Sequence, residues 1–158
     1  MRLIAEKFDT KENVRFKIKI KKIGVALKKP KTLMRIECKD NLEFMQELQS
    51  ESIDLIYCDI LYGTGKKFAD YQDLKANRKI IEDFYLPRLK EMHRVLKSSG
   101  SIYLQMDTKI NHWLRCLMDD VFGYDNFRNE IIWCYEKARP TKYSFKNVHD
   151  HILFYQKI

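Results

Sequence analysis

Apolar and polar positions fall into two rhythms along the chain. Val14, Phe16, Ile18 and Ile20 alternate with Arg15, Lys17, Lys19 and Lys21. That is the period of a strand with one apolar and one basic face. After Lys28-Lys29-Pro30-Lys31 the pattern breaks. The chain therefore divides into a basic extension, residues 1–32, and a main domain, residues 33–158. In the main domain a short strand is expected over 33–38 and a short helix over 42–48. Residues 53–58 form the mostly apolar run of a buried parallel strand. A polar, glycine-containing stretch over 63–79 reads as a flexible loop. Ile81, Phe84, Tyr85, Leu89, Met92, Val95 and Leu96 then share one helical face, with Pro87 as a kink or a fresh first turn and Ser98-Ser99-Gly100 as the stop. A strand is expected over 101–106. The next helix carries Ile110, Trp113, Leu114, Leu117, Met118, Val121 and Phe122, with Asp107 or Thr108 as N-cap and Gly123 as its end. Strands over 130–135 and 151–156, joined by a basic loop, complete an α/β pattern. About three helices for five or six strands is thin cover for a parallel sheet, so part of a larger domain is expected to be missing.

Composition narrows the class. The 158 residues are 45% hydrophobic and 13% aromatic, enough for one core and too much for a disordered chain. No apolar run approaches the roughly 20 residues of a membrane span. The N-terminus meets charge before a signal-peptide core can form, so a cytoplasmic protein is expected. Cys38, Cys58, Cys116 and Cys134 form no C-x-x-C pair. Three of them fall in apolar elements, which reads as reduced, buried thiols. Trp113 and Trp133 are assigned to the core. The net charge is +8, and residues 1–35 hold 12 Lys/Arg against 3 Asp/Glu, so the excess lies wholly at the N-terminus. A basic arm suits a polyanionic partner such as nucleic acid, or else a solvated strand face.

The candidate chemistry lies at Asp59-Ile60-Leu61-Tyr62-Gly63-Thr64-Gly65, just beyond the carboxyl end of the buried strand, where open α/β sheets place ligands. Gly63-x-Gly65 is no dinucleotide fingerprint, because no helix pattern follows it directly. An Asp-x-x-Tyr segment alone says little. Its setting says more. Asp40-Asn41-Leu42-Glu43 precedes it, and Tyr85-Leu86-Pro87-Arg88-Leu89, the run from Leu96 to Asp107, Leu117-Met118-Asp119-Asp120-Val121-Phe122-Gly123, Asn126-Phe127, Ile131-Ile132-Trp133 and His149-Asp150-His151-Ile152-Leu153 follow in order. The series resembles the amino-terminal part of the amino-methylating DNA methyltransferases, adenine-N6 or cytosine-N4, of bacterial restriction–modification systems. More narrowly, it is similar to the subclass whose catalytic motif precedes its cofactor motif.

The resemblance implies a partial Rossmann-like methyltransferase sheet flanked by helices, with the basic β-strand extension ahead of it. It implies transfer of a methyl group from S-adenosylmethionine to a flipped-out base, most often adenine-N6, in double-stranded DNA. Asp59 then accepts an N–H of the exocyclic amine, the carbonyl of Ile60 accepts the other, and Tyr62 stacks on the base. Asp40 and Asn41, with Asp59, become the cofactor-binding residues. Two departures stand out. The family tetrapeptide is Asp-Pro-Pro-Tyr, whereas Ile60 and Leu61 replace both prolines here and release their fixed φ. The family's glycine-rich cofactor turn and target-recognition region also have no counterpart in these 158 residues. A separate chain is one source for them, and an uncovered sheet face leaves room for a second copy of this chain. A DNA-binding or interaction module without catalysis is the alternative reading. Lys66, Lys67, Arg78 and Lys79 after the motif, and Arg139, Lys142 and Lys146 in the last loop, are the expected phosphate contacts. His149-x-His151 puts two imidazoles on one strand face without an evident third ligand, so no metal is expected.

Overall fold

In a computed structural model of the chain, residues 3–7, 36–69, 71–136, 142–143, 145 and 147–158 are described. The basic strand expected around 14–20 lies outside them. Among the described residues the elements run β1 (Leu3–Lys7), α1 (Asn41–Gln46), β2 (Ile53–Asp59), α2 (Arg78–Val95), β3 (Leu96–Met106), α3 (Asn111–Phe122), β4 (Phe127–Cys134) and β5 (His149–Gln156), with a 3₁₀ turn at Tyr124–Asn126. The sheet order is β1-β2-β3-β5-β4. β1, β2 and β3 are parallel, while β5 runs antiparallel to both β3 and β4. The sheet is thus mixed, and an antiparallel β4–β5 hairpin needs no crossover helix.

Several expectations shift. Leu3–Lys7, inside the stretch assigned to the extension, pairs in parallel with Leu55–Asp59. Five residues are too few to show a period beside the longer alternation that follows. Residues 36–38 form no strand. Ser98-Ser99-Gly100 does not stop a helix: α2 ends at Val95, and Leu96 both caps it and pairs with Ile53 as the first residue of an 11-residue strand. Pro87 sits inside α2, not at its start. Ile110, not Asp107 or Thr108, is the N-cap of α3, and Asp107 instead accepts from the Lys109 amide at 2.8 Å in a local turn. Gly123 does end α3.

Alternation decides which face of the sheet is covered. Ile56, Cys58, Ile102, Leu104, Met106, Leu153 and Tyr155 join Ile81, Tyr85, Leu89, Met92, Leu114 and Met118 of α2 and α3 in one buried cluster. The residues between them, Tyr57, Tyr103 and Phe154, stand in register on the opposite face and are half-buried. Tyr103 and Phe154 stack at 4.5 Å. β4 is exposed along nearly its whole length, so Trp133, at 60% exposure, is not core, whereas Trp113 packs against the buried cluster. Edge position explains this: nothing described lies beyond β4. Cys58 is the one buried thiol among the four, and Cys38, Cys116 and Cys134 are free and exposed. No described helix is long and apolar enough to cross a membrane.

Packing of α2 on α3 has a pH-dependent component. The His93 ring meets Phe122 edge-on at 5.1 Å, and the His93 carbonyl accepts from Lys157 Nζ at 3.0 Å. Burial, then the Lys157 charge, lowers the imidazole pKa below its ordinary 6.5. The unfolded chain therefore takes up this proton at higher pH than the folded chain. Stability from this group is complete above about 6.5 and is lost as pH falls below it. Urea midpoints are expected to drop between about pH 7.5 and 5.5, and His93→Gln should flatten that part of the profile.

Candidate active site

β2 ends at Asp59, and the backbone continues the ladder by one residue, with the Ile60 N–H donating to the Gln105 carbonyl at 3.1 Å. Ile60 and Leu61 are buried, at 4% and 5% exposure, and belong to the core cluster. The Leu61 N–H donates to the Tyr85 hydroxyl at 3.1 Å. Both amides that prolines would lack are therefore used, so the tetrapeptide is held by hydrogen bonds where ring constraint is absent.

Gly63 and Gly65, at φ +69° and +67°, then turn the chain into a ribbon. A Cβ on Gly63 would stand 2.7 Å from the Ile110 side chain, so both conformation and space demand glycine. The 63–79 stretch is not an open loop. Gly65 N–H donates to Leu74 O, Asp73 N–H to Lys66 O and Phe68 N–H to Tyr71 O, at 2.8, 2.9 and 2.8 Å. At its tip Phe68 and Tyr71 stack at 4.7 Å. Asp73, 4% exposed, staples the ribbon to the motif by accepting from Gly63 N–H at 3.2 Å, Thr64 N–H at 2.7 Å and the Thr64 hydroxyl.

Asp59, Ile60, Leu61, Tyr62, Thr64, Phe68, Tyr71 and Asp73 line a cavity of about 280 Å³. Ile60, Leu61, Phe68 and Tyr71 give it an apolar and aromatic lining, and Asp59, Tyr62 and the Thr64–Asp73 pair bring polar groups to it. A polar network fixes Tyr62 from behind. Its hydroxyl donates to Asp150 Oδ2 and accepts from Gln105 Nε2, both at 3.0 Å. Gln105 Nε2 also reaches Asp150 Oδ2 at 3.0 Å, and Gln105 Oε1 accepts from the Tyr57 hydroxyl. Burial, then the Asp59 charge and the bond to Asp150, pushes the Tyr62 phenol far above its ordinary range. Tyr62 is consequently a neutral ring with a fixed hydroxyl. The negative charge near it raises Tyr57 as well, after burial.

Asp40 and Asn41 lie at the start of α1. Asp40 is the N-cap, accepting from the Leu42 N–H at 2.8 Å, and its other oxygen pairs with Arg88 at 2.6 Å. Arg88 Nε also donates to Asn41 Oδ1 at 3.1 Å. Asn41 Nδ2 is buried and has no hydrogen-bond partner among the described residues. Tyr85 and Arg88 stand three residues apart on α2, so one helix braces both the motif and the Asp40–Asn41 pair.

The basic residues divide. Lys66 and Lys67 lie on the ribbon beside Phe68, and both are exposed. Arg78 and Lys79 are not loop charges: they open α2 and pair with Glu82 and Asp83 one turn on, at 2.6 and 2.9 Å. Lys142 is exposed, 5.3 Å from the Tyr143 ring centroid. Arg139 and Lys146 lie outside the described residues. His151 is bonded to Glu130 and, at 3.2 Å, to Asn111, with the His149 ring 5.0 Å away. Tyr85, Gln105, Asp73 and Asp150 join the site without having been singled out by the sequence. Three of them fall within the motif series, but none carries a spacing signal, since each acts through tertiary contact.

Comparison with known proteins bears on the family and the fold. The DNA methylase family of N6 and N4 methyltransferases matches residues 53–158. The type II methyltransferase M.KpnI of Klebsiella pneumoniae is 35% identical over 133 residues, covering 75% of this chain and 31% of the relative. M.HpaI of Haemophilus parainfluenzae is 32% identical over 124 residues, covering 78% and 38%. The chain thus spans about a third of the length of these curated relatives. Among solved structures, the PvuII DNA methyltransferase (cytosine-N4-specific) superposes with a TM-score of 0.57 at 18% identity, covering 76% of this chain and 48% of that one, a likeness of fold. With its sheet, its motif order and a match over residues 53–158, the chain belongs to the DNA methylase family.

Proposed function

We propose that this chain carries the catalytic-motif part of a site-specific DNA methyltransferase. The reaction is methylation of an exocyclic amine, adenine-N6 first, on a base flipped out of double-stranded DNA. The carrying observation is the cavity in which Asp59 and a tethered, neutral Tyr62 meet a stacked Phe68–Tyr71 pair. A planar base needs an aromatic wall and an acceptor for its amine, and this cavity has both. Relatives support the chemistry: M.KpnI and M.HpaI are named type II methyltransferases, and YhdJ of Escherichia coli, 27% identical over 119 residues, is named a DNA adenine methyltransferase.

An exocyclic amine is a weak nucleophile because its lone pair is delocalised into the ring. Asp59 accepting one N–H, and the Ile60 carbonyl the other, returns that pair to nitrogen and aims it. Tyr62 holds the ring plane, and fixed positions supply much of the rate. The cofactor residues fit one end of S-adenosylmethionine. Asn41 Nδ2 is a buried donor with no hydrogen-bond partner among the described residues, beside a carboxylate already fixed by Arg88. Asp40 and Asn41 would hold the adenosine end, and the bound cofactor supplies a methyl group on a sulfonium. Lys66, Lys67 and Lys142, with Arg139 and Lys146, would contact phosphates, whereas Arg78 and Lys79 would first have to leave their helical pairs.

The test is transfer of labelled methyl from S-adenosylmethionine to duplex DNA by the 158-residue chain, alone and with a second polypeptide carrying a glycine-rich cofactor turn. Incorporation in either arm supports the reading. Salt-sensitive DNA binding with no incorporation in both arms would replace it with a binding module.

A further inference from the structure

We propose that Tyr85 is the positioning residue of the Asp59–Tyr62 segment, gripping the backbone of Leu61 so that Asp59 and Tyr62 keep a fixed separation across the cavity. The inference rests on the reading of that segment as catalytic. Tyr85 is fully buried in α2, and its hydroxyl makes two bonds to a single residue. It accepts from the Leu61 N–H at 3.1 Å and donates to the Leu61 carbonyl at 3.3 Å. In extended backbone the N–H and C=O of one residue point to the same side, which is how an antiparallel strand satisfies both. Here one side-chain oxygen takes the place of that strand. Among the described residues the Gln105 carbonyl makes the last ladder bond, at Ile60. Without Tyr85 the Leu61 groups would be buried without a partner, a costly state that the loop would relieve by moving.

The other anchors show why this one matters. Asp59 ends a strand, and Tyr62 is tied at its hydroxyl to Asp150 and Gln105. Between them the backbone is fixed at Ile60 by Gln105 and at Leu61 by Tyr85. Phenylalanine at 85 would fill nearly the same space, so the hydroxyl alone carries the difference. Burial also pushes the phenol well above its ordinary pKa, keeping its proton for the Leu61 carbonyl.

Tyr85→Phe in the full 158-residue chain separates clamp from packing. Hydrogen exchange at the Leu61 amide is expected to quicken about tenfold, the equivalent of about 1.4 kcal/mol, while core amides such as Ile102 keep their protection. In methyl transfer kcat should fall roughly 10- to 100-fold with the KM for DNA within about twofold, because a displaced acceptor harms the transition state more than binding. A second comparison removes the N–H itself. In a Leu61→Ala background Tyr85→Phe should raise the unfolding constant about tenfold, and in a Leu61→Pro background distinctly less. Unchanged Leu61 exchange, or equal costs in both backgrounds, would overturn the clamp. Faster exchange with unaltered kcat would overturn its positioning role. Exchange and unfolding need neither cofactor nor DNA, so an absence of methyl transfer both alone and with the second polypeptide refutes the functional reading while these two measurements still decide whether Tyr85 clamps Leu61.

Discussion

Asp59→Asn is expected to lower methyl transfer to DNA by about 100- to 1,000-fold, the range seen when one polar group aimed at the reacting centre is removed. The substitution keeps size and shape at the end of β2, so the sheet should fold as before. What changes is hydrogen-bond character. A carboxylate only accepts, whereas an amide can turn its NH₂ toward the substrate amine and repel it. The loss should fall on kcat, since the proposed stacking of the base on Tyr62 and the proposed phosphate contacts do not involve the substituted group. Labelled methyl incorporation, run beside thermal unfolding of both proteins, is the measurement. A variant with the rate of the unaltered chain would remove Asp59 from the chemistry. The same substitution removes the charge that, after burial, raises Tyr62 and Tyr57, so the tyrosine titration seen by ultraviolet absorbance should move down in pH. That second readout tests the electrostatics without any turnover.

The legible parts of the molecule are those written in local pattern. Ile53, Ile56 and Cys58 announce a buried strand, and the spacing of Ile81, Tyr85, Leu89 and Met92 announces the helix that covers it. Gly123 at φ +88° ends α3 as a glycine should. Residues whose state depends on distant partners read wrongly. Ser98-Ser99-Gly100 has the composition of a stop, yet pairing with β2 and a hydrogen bond from Lys157 N–H to the Gly100 carbonyl at 2.9 Å carry it into β3. Tertiary pairing outweighs a weak local preference. Trp133 looks like core in sequence, but the sheet order puts β4 at an edge. At the candidate site, Asp59 and Tyr62 stand out in the sequence through the motif series around them, and the structure puts both on one cavity. The residues that hold them do not stand out. Gln105 joins Asp59 through strand register, Asp150 reaches Tyr62 across 88 residues of chain, and Asp73 is one carboxylate in a polar stretch until Gly63 and Gly65 turn it inward. Arg78 and Lys79 mislead the other way, since charge in an expected loop is charge spent within a helix.

Asp73→Ala should be the most damaging single change to the site's architecture, costing about 3 kcal/mol of folding stability. That figure follows from one charged acceptor serving three donors, where hydrogen bonds to charged groups contribute about 1.5–3 kcal/mol and unsatisfied buried donors cost about 1–3 each. Gly63 N–H is buried, and Thr64 is partly so, which leaves water a poor substitute. Asp73→Asn retains one acceptor oxygen but faces an N–H with its own NH₂, so it should cost about half as much. The two variants thus rank by acceptors lost. Function should fail before fold. Once the staple opens, Gly63 and Gly65 no longer hold the ribbon at the cavity, and the Phe68–Tyr71 pair leaves its lining. Urea unfolding of the three proteins gives the stabilities, and tyrosine fluorescence quenching by acrylamide reports whether Tyr71 becomes accessible below the unfolding transition. A loss under about 1 kcal/mol in Asp73→Ala would mean that solvent already satisfies these donors. The ribbon would then be held by its own backbone bonds, and the cavity wall would owe its position to the Phe68–Tyr71 stack instead of the buried carboxylate.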